Sequence, residues 1–202
     1  MIKESTITNF INELKSEAPT PGGGGVAALN SAQGVALIMM VANLTVNNDK
    51  YIEWHDICKS TLEECQKLLD VLVDGIDEDA KEFYKVINAY GLPKETAEDK
   101  EKRSKAISEA SISAAEAPLN VMEASLIALE LDLAILEKSN PNVKSDLYVA
   151  ARSLQAGLLS AKYNVDANIP GISKINPALA DESRKKADEL IERCNSLMDR
   201  IF

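Results

Sequence analysis

Aromatic residues make up only 4% of this 202-residue chain, and it holds one histidine, His55, and three cysteines, Cys58, Cys65 and Cys194. With so few rings, a core must be built from Ala, Leu, Ile and Val, which favours packed helices. One histidine and scattered cysteines supply neither a Ser-His-Asp triad nor a zinc site. The cysteines lack CxxC spacing and Met1-Ile2-Lys3-Glu4 does not resemble a secretory leader, so the expectation is a cytoplasmic protein with reduced thiols. No dense Lys/Arg cluster interrupts a net charge of −10, which argues against a nucleic-acid partner. Long apolar runs are also missing. The most apolar segment, Val26 to Thr45, is broken by Asn30, Ser31, Gln33 and Asn43 and reads as a buried helix rather than a membrane span.

What the chain does have is periodicity of three and four, without sustained alternation, over nearly its whole length. This predicts one all-α domain over residues 1–202, a bundle of about seven long helices. Ser5 or Thr6 is placed to cap a first helix with the stripe Ile7, Phe10, Ile11 and Leu14. A second runs from about Gly24 to Thr45. The longest is expected from Asp49 to Tyr90, with an apolar line that includes Cys58, Cys65, Leu72, Ile76, Phe83, Ile87 and Tyr90, and a bend at Gly75. A solvated helix after Lys94 is expected to close at Pro118, where another begins; a sixth spans about Pro141 to Asn168, and the last about Pro177 to Ile201.

Glycine is concentrated in one place. Pro19-Thr20-Pro21-Gly22-Gly23-Gly24-Gly25 stands directly before the second helix. Prolines bar helix ahead of it, glycines permit unusual backbone conformations, and the amides at the helix start form a natural receiver for an anion or a carbonyl oxygen. Neither the Walker loop nor the dinucleotide fingerprint is present, since Lys-Ser/Thr and a preceding strand are both missing.

Two carboxylates fall on unexpected helical faces. Asp79 lies on the line of Ile76 and Phe83, where burial would raise its pKa towards the range useful for acid–base work; the alternative is an Asp at the margin of the stripe. Asp77 points elsewhere and reads as solvated. Asp146 heads a line of small and polar residues, Ala150, Ser153, Gly157, Ser160 and Asn164, which suits a ligand or a close neighbouring helix equally well.

Taken in order, Pro19 to Gly24, Val41-Ala42-Asn43-Leu44-Thr45, Asp77-Glu78-Asp79-Ala80 with Phe83 and Leu92-Pro93-Lys94, Asn140 to Asn142 with Ser145-Asp146, and Asn164-Val165 resemble the cyclodeaminase/cyclohydrolase family. The resemblance spans nearly the whole chain. It implies an all-helical homodimer that takes a reduced folate as substrate, with no separate cofactor or metal. Cyclodeamination of 5-formiminotetrahydrofolate to 5,10-methenyltetrahydrofolate is the first reaction implied, and hydrolysis of the methenyl compound to 10-formyltetrahydrofolate the second. Carried onto this chain, Asp79 and Asp146 are the expected catalytic carboxylates. Pro21, Gly22, Gly23, Gly24, Asn43, Thr45, Ser145 and Asn164 are the expected substrate contacts, and Lys50 or Lys94 would meet the carboxylates of the folate tail. A helical module that only assembles with partners is the competing reading; it leaves the glycine loop without a purpose.

Overall fold

The second helix runs through the middle of the molecule, as its even distribution of apolar residues requires. The computed structural model describes residues 1–202 and contains six α-helices and no strand: α1 (Ile7–Leu14), α2 (Gly23–Val46), α3 (His55–Tyr90), α4 (Ala97–Ile135), α5 (Lys144–Ser173) and α6 (Pro177–Ile201). Short 3-10 segments occupy Ile2–Glu4, Asp49–Trp54 and Pro141–Val143. α2 packs against α3, α4 and α5, and α6 closes the far side against α4 and α5. One apolar cluster of 38 buried residues joins these helices, rich in Ala, Leu, Ile and Val as composition predicted. α2 is long and apolar enough to cross a membrane, yet its buried positions, including Val35, Ile38 and Val41, belong to this core.

Helix starts follow local chemistry. Thr6 Oγ1 accepts the Asn9 N–H at 3.1 Å to cap α1. Thr96 and Asp99 form a reciprocal capping box at α4, the Asp99 N–H donating to Thr96 Oγ1 and the Thr96 N–H to Asp99 Oδ2. Asn176 caps α6 with Pro177 at its first position.

Three expectations about boundaries change. Asp49–Trp54 is a separate 3-10 segment with non-helical dihedrals at Tyr51, so α3 begins only at His55. Pro118 does not divide two helices: α4 passes straight through it. Proline removes the N–H that would bond the Ala114 carbonyl, and the Asn168 side-chain amide from α5 donates to that carbonyl at 3.3 Å instead. α5 likewise runs through Pro170 to Ser173, where Gly171 fits against Ser111 of α4 and the Ser108 hydroxyl donates to the Gly171 carbonyl at 2.5 Å. Gly75 lies inside an unbroken α3, against Ala28 and Val121.

These directions create two ends. α2 and α4 run one way, α3 and α5 the other. At the first end the start of α2 meets the later part of α3 and α5; at the second, Thr45 near the close of α2 meets Asn140 ahead of α5, whose N–H donates to Thr45 Oγ1 at 2.9 Å.

Candidate active site

The glycine loop earns its composition by contact rather than by unusual dihedrals. No residue has positive φ, and Gly22, the N-cap of α2, sits at φ −124°. A Cβ placed on Gly24 would lie 1.9 Å from Asp79 Oδ1, so only glycine lets the carboxylate lie against the helix start. The Gly25 N–H donates to Asp79 Oδ2 at 3.2 Å. Asp79 therefore caps α2 from a different helix. The position of a Cβ on Gly23 is 3.7 Å from Asn164 Oδ1, which brings α5 to the same point. Asn164 is held by its own amide, which donates to the Ser160 carbonyl at 3.1 Å, and Asn168 donates to the Asn164 carbonyl at 3.0 Å.

Asp79 is half-buried, and loss of solvent raises its pKa above the ordinary carboxylate value, opposed by the Gly25 amide. The N–H groups of Gly23 and Gly24 belong to the first turn of α2, at the positive end of the helix dipole, where the helix itself offers them no acceptor. A strengthened base beside free backbone donors is an arrangement that can take a proton from an attacking group while stabilising charge on its neighbour. Tyr84, five residues beyond Asp79, places its hydroxyl 3.3 Å from Thr20 Oγ1 and so ties α3 to the loop. Sequence periodicity gave no sign of that contact, because Tyr84 is off the apolar line.

The other expected residues lie elsewhere. Asn43 is 19 residues beyond Gly24 on α2, ~29 Å at 1.5 Å per residue, and Asp146 is 18 residues ahead of Asn164 on α5, ~27 Å. Within one chain the structure thus brings together Gly22, Gly23, Gly24, Asp79 and Asn164, and sets Asn43, Thr45, Ser145 and Asp146 at the opposite end. Thr45 is fully buried, donating to the Val41 carbonyl and accepting from Asn140, which gives it a structural task and no open face. Pro21 is buried against Gly25 and shapes the loop. Lys50 belongs to the second end and Lys94 to the turn after α3. Asp77, expected in solvent, is buried and accepts the Ile2 N–H at 2.6 Å, pinning the first residues to α3.

A further carboxyl was missed. Asp132 of α4 is fully buried and both its oxygens lack a hydrogen-bond partner; burial pushes its pKa up to about 8. It sits seven residues after Ser125, which bonds Ser31 of α2, so its spacing is that of a core position occupied by a polar group. All three cysteines are free and buried, and burial pushes Cys65 up to about 12 and Cys194 up to about 11, leaving them unreactive thiols.

Comparison with known proteins agrees with the fold and the family resemblance. The family model described as formiminotransferase-cyclodeaminase matches residues 6–200. The chain belongs to this family. It is 40% identical over 202 residues to a methenyltetrahydrofolate cyclohydrolase of Methylorubrum extorquens, covering 100% of this chain and 96% of that protein. It is 29% identical to the formimidoyltransferase-cyclodeaminase of Sus scrofa across 96% of this chain, which spans 36% of that longer protein. The solved structure of a formiminotetrahydrofolate cyclodeaminase from Thermotoga maritima shares the fold, with a TM-score of 0.88 at 24% identity over 100% of this chain and 96% of that one. Family membership makes the chain an enzyme and rejects the purely assembling module.

Proposed function

We propose that this chain is a folate one-carbon enzyme whose reaction centre is the space between Asp79, the Gly23 and Gly24 amides and Asn164. The observation that carries this reading is the Asp79 carboxylate seated on a glycine-only helix start. The full-length similarity to a cyclohydrolase favours hydrolysis of 5,10-methenyltetrahydrofolate. In that reaction a water attacks the cationic methenyl carbon while Asp79 accepts its proton. The bond from that carbon to N5 then breaks as the added hydroxyl releases its remaining proton to solvent and becomes the formyl oxygen, N5 takes up the proton held by Asp79, and the formyl group stays on N10. Asn164 and the glycine amides orient the pterin and the developing carbonyl oxygen.

Cyclodeamination is the second reading, favoured by relatives named for that activity. There N10 attacks the formimino carbon, a carboxyl delivers a proton to the departing nitrogen, and ammonia leaves. Both reactions pass through the same tetrahedral carbon between two nitrogens. Asp146 enters either scheme only from a second copy of the chain, because its own lies at the other end; a homodimer that joins opposite ends would supply it.

The deciding experiment offers purified protein each substrate separately. Loss of methenyl absorbance without ammonia release supports hydrolysis; appearance of that absorbance with stoichiometric ammonia from 5-formiminotetrahydrofolate selects cyclodeamination. Inertness towards both overturns the folate reading.

A further inference from the structure

The outer seam between α2 and α5 brings a cavity and an arginine together. A cavity of about 450 Å³ opens there, lined by Asn30 of α2, by Tyr148, Arg152, Ser153 and Ala156 of α5, and by Phe202. Arg152 forms no ion pair. Its guanidinium carbon stands 3.8 Å from the centre of the Phe202 ring, which in turn packs on Tyr148, and one nitrogen donates to Gln155 Oε1 at 3.0 Å. Those contacts hold the planar fork on the wall between this cavity and a neighbouring one of about 320 Å³ that Gln155 and Asp199 also line, with no carboxylate in ion-pair distance of it.

The seam leads from this cavity to the reaction centre. Asn30 is seven residues, two turns, from Gly23 and therefore on the same face of α2. On α5, Ser153 and Asn164 are eleven residues apart and also share a face, with half-exposed Ser160 between them. A Cβ on Gly34 would touch Leu154 and the Ala150 carbonyl, so Arg152 is level with Gly34, ten residues and ~15 Å along α2 from Gly24. An extended p-aminobenzoylglutamate covers about the length of three extended residues, ~10 Å, and the arginine side chain spans the rest.

Building on the folate reading above, we propose that this seam is the tail subsite: Arg152 receives a glutamate carboxylate of the reduced folate through its bidentate fork, and Asn30 contacts the amide that precedes it. Arginine is suited to this task because a fork matches a carboxylate in geometry as well as charge. The site has to be local, since the chain as a whole carries −10 and repels a dianionic tail. The contact exists equally in ground and transition states, so its loss raises KM and spares kcat.

The test compares wild type and Arg152→Ala on 5,10-methenyltetrahydrofolate and on 5,10-methenyltetrahydropteroate, which lacks the glutamate. The expected result is a KM about 10 to 100 times higher for the variant on the full substrate, the range of one charge-assisted hydrogen bond, with kcat within about twofold and no change on the pteroate. Arg152→Lys should fall between the two. An unchanged KM in Arg152→Ala, or an equal rise on both substrates, overturns the subsite while the folate reading stands. If wild type hydrolyses neither compound, the comparison is repeated with 5-formiminotetrahydrofolate and its pteroate analogue, and inertness there as well overturns both readings.

Discussion

Two carboxyls, Asp79 and Asp132, share a raised pKa and differ in everything that decides what they do. Asp79 is half-open, anchored by one backbone donor and placed beside free amides, so it can exchange protons with a bound molecule. Asp132 is sealed in and unpartnered, and is held neutral at pH 7 by burial alone. Its folded pKa of about 8 stands above the unfolded value of about 3.9, so its neutral form stabilises the fold fully below pH ~4. That contribution shrinks as pH climbs towards 8 and is then exhausted. Chemical denaturation at several pH values should therefore show a downward slope between pH 5 and 8 of the order of 1 kcal/mol per unit in wild type, flattened in Asp132→Asn. Equal slopes would mean that Asp132 is ionised in the fold. Asp79 was legible in the sequence as a carboxylate on an apolar line. Asp132 was not, because the α4 pattern around it is so rich in Leu and Ala that one acidic residue reads as an edge position.

At the scale of elements, sequence pattern placed α1, α2 and α6 within a few residues and failed at proline. Pro118 and Pro170 read as stops, yet each lies within a continuous helix. For Pro118 the compensating group is identifiable, since Asn168 donates to the Ala114 carbonyl that proline leaves unpaired. Such long-range repair has no local signature. Asn168→Ala should cost about 1 to 2 kcal/mol by urea unfolding. The cost should largely vanish in a Pro118→Ala background, where the helix regains its own donor. Additive losses would show that Asn168 stabilises by some other contact. The glycine loop shows the same division: its position was clear from sequence, whereas the reason for glycine is steric clearance at Gly24 for Asp79 of another helix.

Seen whole, the molecule is a bundle with two distinct ends, and the motifs that run in order along the sequence do not all converge on one of them. Those of the glycine loop, α3 and the late part of α5 meet at one end, while Asn43, Thr45, Ser145 and Asp146 lie roughly 27 to 29 Å away along their helices. Linear order gave the family and the fold; it gave no hint that one set of motifs would occupy two ends, because helix direction separates residues that sequence lists side by side. The central claim is that the Asp79 end is where the one-carbon unit reacts. Its most direct test is single-turnover decay of 5,10-methenyltetrahydrofolate absorbance by Asp79→Asn, a substitution that retains an oxygen for the Gly25 amide. A fall of about 10² to 10⁴ in rate with an unchanged melting temperature is the predicted result; a rate within about threefold of wild type would contradict it.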